Sequence, residues 1–150
     1  MSDYDAAPSA GRYPSVTPVE RATDDPLPPF RMTVVGSGTV LPLDRPVVVG
    51  RSPALPRIQS DPRPRLLRVP SPGGEISASH IEIRQVGLTA VATDLRSTNG
   101  SVVRLPGQTA VVLRSGESMA VSPGTLIALA ESIVIEILPR EYLRATSARE

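Results

Sequence analysis

The sequence has no cysteine, no lysine and no tryptophan, and one histidine in 150 residues. Without cysteine there is no disulfide, thiolate metal site, iron–sulfur cluster or cysteine nucleophile, and the redox compartment cannot be read from this residue type. The lone His80 excludes a polyhistidine centre, so neither a metal nor a cofactor is expected. All sixteen basic residues are arginines, which removes Schiff-base chemistry and the lysine of a phosphate loop. No run of about 18 apolar residues suggests a membrane span. The start MSDYDAAPSAGRYP is acidic and proline-rich, unlike a signal peptide, so a cytoplasmic location is expected. A formal charge of +1 lacks the dense basic face that a nucleic-acid partner requires. Aromatic residues are equally scarce. None occurs between Arg31 and Leu138, so any core there is built from aliphatic side chains.

What is present is proline, glycine and short β-branched runs. Six of the seventeen prolines fall in the first 29 residues, and residues 1–29 read as a disordered, acidic tail unable to offset its ordering entropy. Six more lie between Arg51 and Gly74, which reads as a long loop within the domain, a length that is usually functional. Ten candidate strands span residues 30–138, among them HIEIRQV and IVIEIL, whose apolar–polar alternation suits a sheet with one buried face. Residues 139–150 form a second tail or a short helix beginning after Pro139. The fold class expected is all-β, a sandwich of two antiparallel sheets with about ten or eleven short strands.

Three segments bear on chemistry. In VVVGRS, a strand ends at Gly50 and Arg51, where the sheet would hold a guanidinium suited to a phosphate or carboxylate; taken alone it reads as a solvated arginine. In EISASHIEI, Ser77 precedes His80 by three positions. The sharp nucleophile turn of a hydrolase is absent, and the histidine reads as an organiser of backbone rather than a catalyst. In ATDLRSTNGSVV, Asn99-Gly100 reads by itself as a hairpin turn, since both residues tolerate positive φ.

The order of these segments, Gly-Arg, long loop, Ser-x-x-His, Ser-Thr-Asn-Gly, resembles the forkhead-associated (FHA) domain, and the phrasing resembles actinobacterial members. The only histidine and the only asparagine of the chain fall at positions of the family's motif. The resemblance covers residues 30–138 and implies a non-enzymatic module that binds a phosphothreonine-containing protein in Ser/Thr-kinase signalling, the partner being a kinase or a kinase substrate. It implies that Arg51 and Ser77 hold the phosphate, that Thr98 contacts peptide or phosphate, and that Asn99 holds the peptide main chain just after the phosphothreonine. Gly50, His80 and Gly100 become structural supports. Two departures stand out. Ala78 replaces the family's usual arginine after the serine, leaving a backbone N–H there, and Arg96 stands where glycine usually precedes Ser-Thr-Asn-Gly, able either to add charge or to obstruct.

Two alternatives accompany this reading. In one, Thr17 or Thr23 becomes phosphorylated and the tail closes the domain's own site: residues 1–30 carry a net −3 and residues 51–75 a net +3. In the other, the chain is a structural FHA-like domain that has lost phosphate binding through Ala78.

Overall fold

The computed structural model describes residues 27–58 and 61–141. Eleven strands and no helix are found among them: β1 (Arg31–Val34), β2 (Val40–Pro42), β3 (Val47–Gly50), β4 (Arg65–Arg68), β5 (Ile81–Val86), β6 (Thr89–Asp94), β7 (Ser101–Arg104), β8 (Val111–Leu113), β9 (Ser118–Val121), β10 (Leu126–Ala130) and β11 (Ile133–Leu138). A six-stranded sheet, β2-β1-β11-β10-β7-β8, faces a five-stranded sheet, β4-β3-β5-β6-β9.

The alternation read from the sequence sets which side of each strand is buried. Ile133, Ile135 and Ile137 of β11 point inward, as do Ile81 and Ile83 of β5, with their neighbours more exposed. The buried core is Val, Ile, Leu, Met and Ala throughout; among the described residues Phe30 is the one aromatic side chain packed against it. No helix among the described residues is long and apolar enough to cross a membrane.

Three expectations are corrected. The stretch between Arg51 and Gly74 is not all loop, because Arg65–Arg68 forms an edge strand beside β3. The sheets are not wholly antiparallel, because β3 and β4 run parallel in the register Val47↔Arg65 to Gly50↔Arg68. The connection from Arg51 to Pro64 makes this possible, since a parallel neighbour needs a crossover of about a dozen residues or more. Lastly, Asn99-Gly100 is not a hairpin turn: β6 and β7 belong to different sheets, and the segment carries the chain from one layer to the other. Gly100 has φ 79°, while Asn99 is not in the positive-φ region.

Most of the acidic tail, including Thr17 and Thr23, and residues 142–150 of the second tail lie outside the described residues. The expected short helix falls largely there.

Candidate functional site

The site lies at one end of the five-stranded sheet. β3 and β4 run toward this end, β5 begins there and β6 finishes there. Side chains leaving these four strand ends therefore follow the sheet order: Arg68, then Arg51, then Ser77 to His80, then Thr98 and Asn99.

Backbone bonds join the segment before β5 to the end of β3. Arg51 N–H donates to Ser77 O (3.0 Å), Ser52 N–H to Ala78 O (3.0 Å) and His80 N–H to Val49 O (2.9 Å). So close an approach requires glycine at position 50. A Cβ there would stand 1.9 Å from Ala78 O and 2.9 Å from Ser77 O, both backbone atoms. Ser79 Oγ adds a tie by accepting Ala54 N–H at 3.1 Å.

His80 is fully buried and bridges two loops. Its Nδ1 accepts the Ser77 N–H at 3.1 Å, which leaves Nε2 as the protonated nitrogen donating to Gly100 O at 2.8 Å. The ring is thus held as one neutral tautomer by a donor on one side and an acceptor on the other. Ser77 Oγ in turn accepts Thr98 N–H at 3.1 Å, and its own proton is left to donate outward.

Asn99, which is exposed, gives Nδ2–H to Glu75 O at 3.0 Å, so it braces the segment before β5. Its Oδ1 has no protein partner among the described residues and remains an acceptor. Gly100 is confined both by φ and by space, since a Cβ would meet Val112 Cγ1 at 3.2 Å.

Arg51 is exposed, and its Nε–H donates to Ile76 O at 2.9 Å. That bond fixes the plane of the guanidinium and leaves both Nη groups without a protein partner among the described residues. Ala78 is exposed and its N–H likewise has no protein acceptor there. The end of the sheet therefore carries, on loops bonded to each other, a guanidinium fork, a serine hydroxyl and an amide N–H that no acceptor among the described residues takes up. Such a donor set matches a doubly charged, oxygen-rich group.

Two further residues stand out at this end of the sheet, neither given a role by the sequence reading: one holds the site's turn, and the other lies beside the site on the edge strand. Asp94, fully buried, accepts Ser97 N–H (2.8 Å) at Oδ1 and the hydroxyls of Ser97 (2.7 Å) and Ser101 (2.9 Å) at Oδ2. Ser97 Oγ also accepts Gly100 N–H at 2.9 Å, so the whole turn hangs from this carboxylate. The Asp-x-x-Ser spacing, an aspartate accepting from the backbone three residues on, was the available signal. The other is Arg68, whose neighbourhood read as loop.

No family model matches the chain, and no curated protein matches it in sequence. Solved structures do. The FHA domain of human APLF, in complex with an XRCC1 bisphospho peptide, is 16% identical over 73% of this chain and 97% of that one, with a TM-score of 0.55. The MEK1 FHA domain with a HOP1 phosphothreonine peptide is 20% identical over 77% and 100%, TM-score 0.53. The FHA domain of the CT664 protein from Chlamydia trachomatis is 18% identical over 75% and 97%, TM-score 0.52. The fold is therefore that of FHA domains, an all-β sandwich of two sheets.

Proposed function

We propose that this chain is a non-enzymatic module that binds phosphothreonine-containing segments of a partner protein, a Ser/Thr kinase or a kinase substrate. The observation that carries the reading is the joint placement of Arg51 and Ser77. Two loops are bonded to each other at one end of the sheet, and they carry a guanidinium fork and a serine hydroxyl, neither paired with an acidic side chain among the described residues, which supports a shared anion site. In this reading the Arg51 Nη groups and the Ser77 hydroxyl hold phosphate oxygens, and the Ala78 N–H substitutes for the side-chain donor that the family usually places there. Thr98 borders the phosphate. Asn99 uses its free Oδ1 to accept a main-chain N–H just after the phosphothreonine. Gly50, His80 and Gly100 hold the loops in register. Charge-assisted bonds of this kind contribute about 1.5–3 kcal/mol each, so a few exposed donors supply useful affinity without a deep pocket. Phosphopeptides are also the ligands in two of the structures that share the fold.

The test is fluorescence anisotropy with matched phosphothreonine, phosphoserine and unmodified peptides from an oriented library. Arg51→Ala is expected to abolish phosphothreonine binding while the unfolding transition stays in place, because Arg51 is exposed and contributes one backbone-directed side-chain bond. Binding by Arg51→Ala equal to that of the unaltered chain would sink the assignment and favour a structural domain without phosphate recognition.

A further inference from the structure

Arg51 has a second neighbour that the phosphothreonine reading leaves unused. Arg68 ends β4 directly across from Gly50, one strand beyond Arg51 and on the flank away from Asn99. It is exposed, and its Nε–H donates to the Arg51 carbonyl at 3.2 Å, so its guanidinium too is oriented by backbone with both Nη groups left over. Between the two arginines an open hollow of about 430 Å³ is lined by Arg51, Arg68, Val69, Pro70 and Ser71. Ser71 Oγ accepts Ile76 N–H at 3.0 Å, which frees its proton to donate. Among the described residues no carboxylate lies within ion-pair distance of either arginine. Two like charges lining one hollow repel each other, and an anion held between them relieves that repulsion.

We infer that Arg68 and Ser71, together with Arg51, form a second anion subsite, so that the preferred ligand is a phosphothreonine peptide carrying a further negative group. The inference rests on the phosphothreonine reading of the Arg51–Ser77 site. With Asn99 holding the main chain after the phosphothreonine, the ligand's preceding residues cross toward β4. An extended chain advances about 3.3 Å per residue, so the second group falls one to three residues before the phosphothreonine. The shared chemistry is a multi-oxygen anion, supplied by a second phosphate or by an Asp or Glu side chain.

The experiment uses the full chain and one peptide sequence in several forms: phosphothreonine alone, phosphothreonine with phosphoserine at each of the three preceding positions, and phosphothreonine with Asp at the same positions. The singly phosphorylated peptide tests the site itself, and failure of every phosphopeptide to bind defeats both readings. Given binding, a second phosphate at the best position is expected to tighten it about tenfold, the effect of one charge-assisted contact in an exposed site. A gain with Asp assigns the source to acidic side chains as well, and a gain with phosphate alone assigns it to a second phosphorylation. Arg68→Gln should cut the gain below twofold while leaving the singly phosphorylated peptide within twofold of its original affinity. Arg104→Gln, which removes the same charge from the other sheet, should leave the gain intact. No gain at any position, a gain that persists in Arg68→Gln, or equal weakening of both peptide classes by that variant overturns the subsite.

Discussion

Arg96 shows how one residue carries strain that the surrounding bonds impose. Asp94 must accept the Ser97 N–H while Leu95 N–H reaches back to His80 O, so the two residues between turn tightly and Arg96 takes φ 62°, the only positive φ at a non-glycine among the described residues. A left-handed conformation costs an L-residue about 1–2 kcal/mol, against about 0.5–1 kcal/mol of extra backbone entropy for glycine. Arg96→Gly should therefore stabilise the domain by about 0.5–1 kcal/mol, seen as a raised urea midpoint with an unchanged slope. A lowered midpoint would mean that the long side chain contributes contacts outweighing its strain. The same titration followed by peptide binding separates the two roles open to Arg96: weaker binding marks a source of charge, stronger binding an obstruction. Residue types gave access to most of this region. His80, Arg51, Ser77 and Asn99 are recognisable because each is a rare or special residue in a short motif. Arg68 is not, since nothing in an arginine between Leu67 and Val69 says that its partner across the sheet is Gly50, the residue before Arg51.

At the level of elements, legibility followed local pattern and failed where pairing is remote. IVIEIL and HIEIRQV alternate, and they are strands with one buried face. Arg65–Arg68 alternates only weakly between half-exposed and exposed positions and sits among prolines, because an edge strand pairs on one side and needs no strong apolar face. Its parallel partner lies eighteen residues upstream in register, across a connection of fourteen, a relation no short window contains. The β6–β7 connection failed differently. Asn-Gly is a correct turn signal, but turn chemistry does not state whether the following strand stays in the same sheet. What sends β7 to the opposite layer and yet keeps the turn ordered is the buried Asp94 network. Asp94→Ala is expected to destabilise the domain by about 2–4 kcal/mol, since it strands several buried donors at once. Phosphopeptide affinity should fall with it, measured below the unfolding transition, because Thr98 and Asn99 ride on the released turn. A variant with native stability and native affinity would show that the turn is held by its backbone alone.

For the whole molecule, the decisive fact is that the chain enters and leaves at the end opposite the site. Arg31 pairs with Leu138, Phe30 N–H donates to Gln85 Oε1 near the far end of β5, and Arg140 closes over the Phe30 ring at 4.2 Å while bonding to Pro28 O. Gln85 is four residues past Ile81, the partner of Val49, and Arg51 is two residues beyond Val49. Six residues of strand amount to about 20 Å along the sheet. A tail anchored at Pro28 has five residues to Thr23, at most about 18 Å fully extended, and it must also travel around the sandwich. Thr17 has eleven, about 40 Å at full extension on the same basis, enough to make the journey. On this reach, self-closure by a tail phosphate is expected from Thr17 and not from Thr23, whose phosphate would be left to a second molecule. The comparison is external phosphopeptide affinity for the full chain phosphorylated at one threonine only, against a chain beginning at Leu27. Phosphorylation at Thr17 should weaken external binding independently of protein concentration, as an intramolecular competitor does. Phosphorylation at Thr23 should leave affinity within twofold in dilute solution and weaken it only as the protein is concentrated. Concentration-independent closure by Thr23 would require the Pro28–Arg140 bond and the Phe30 contacts to open, and would show that the ends of the domain are not held as the fold places them.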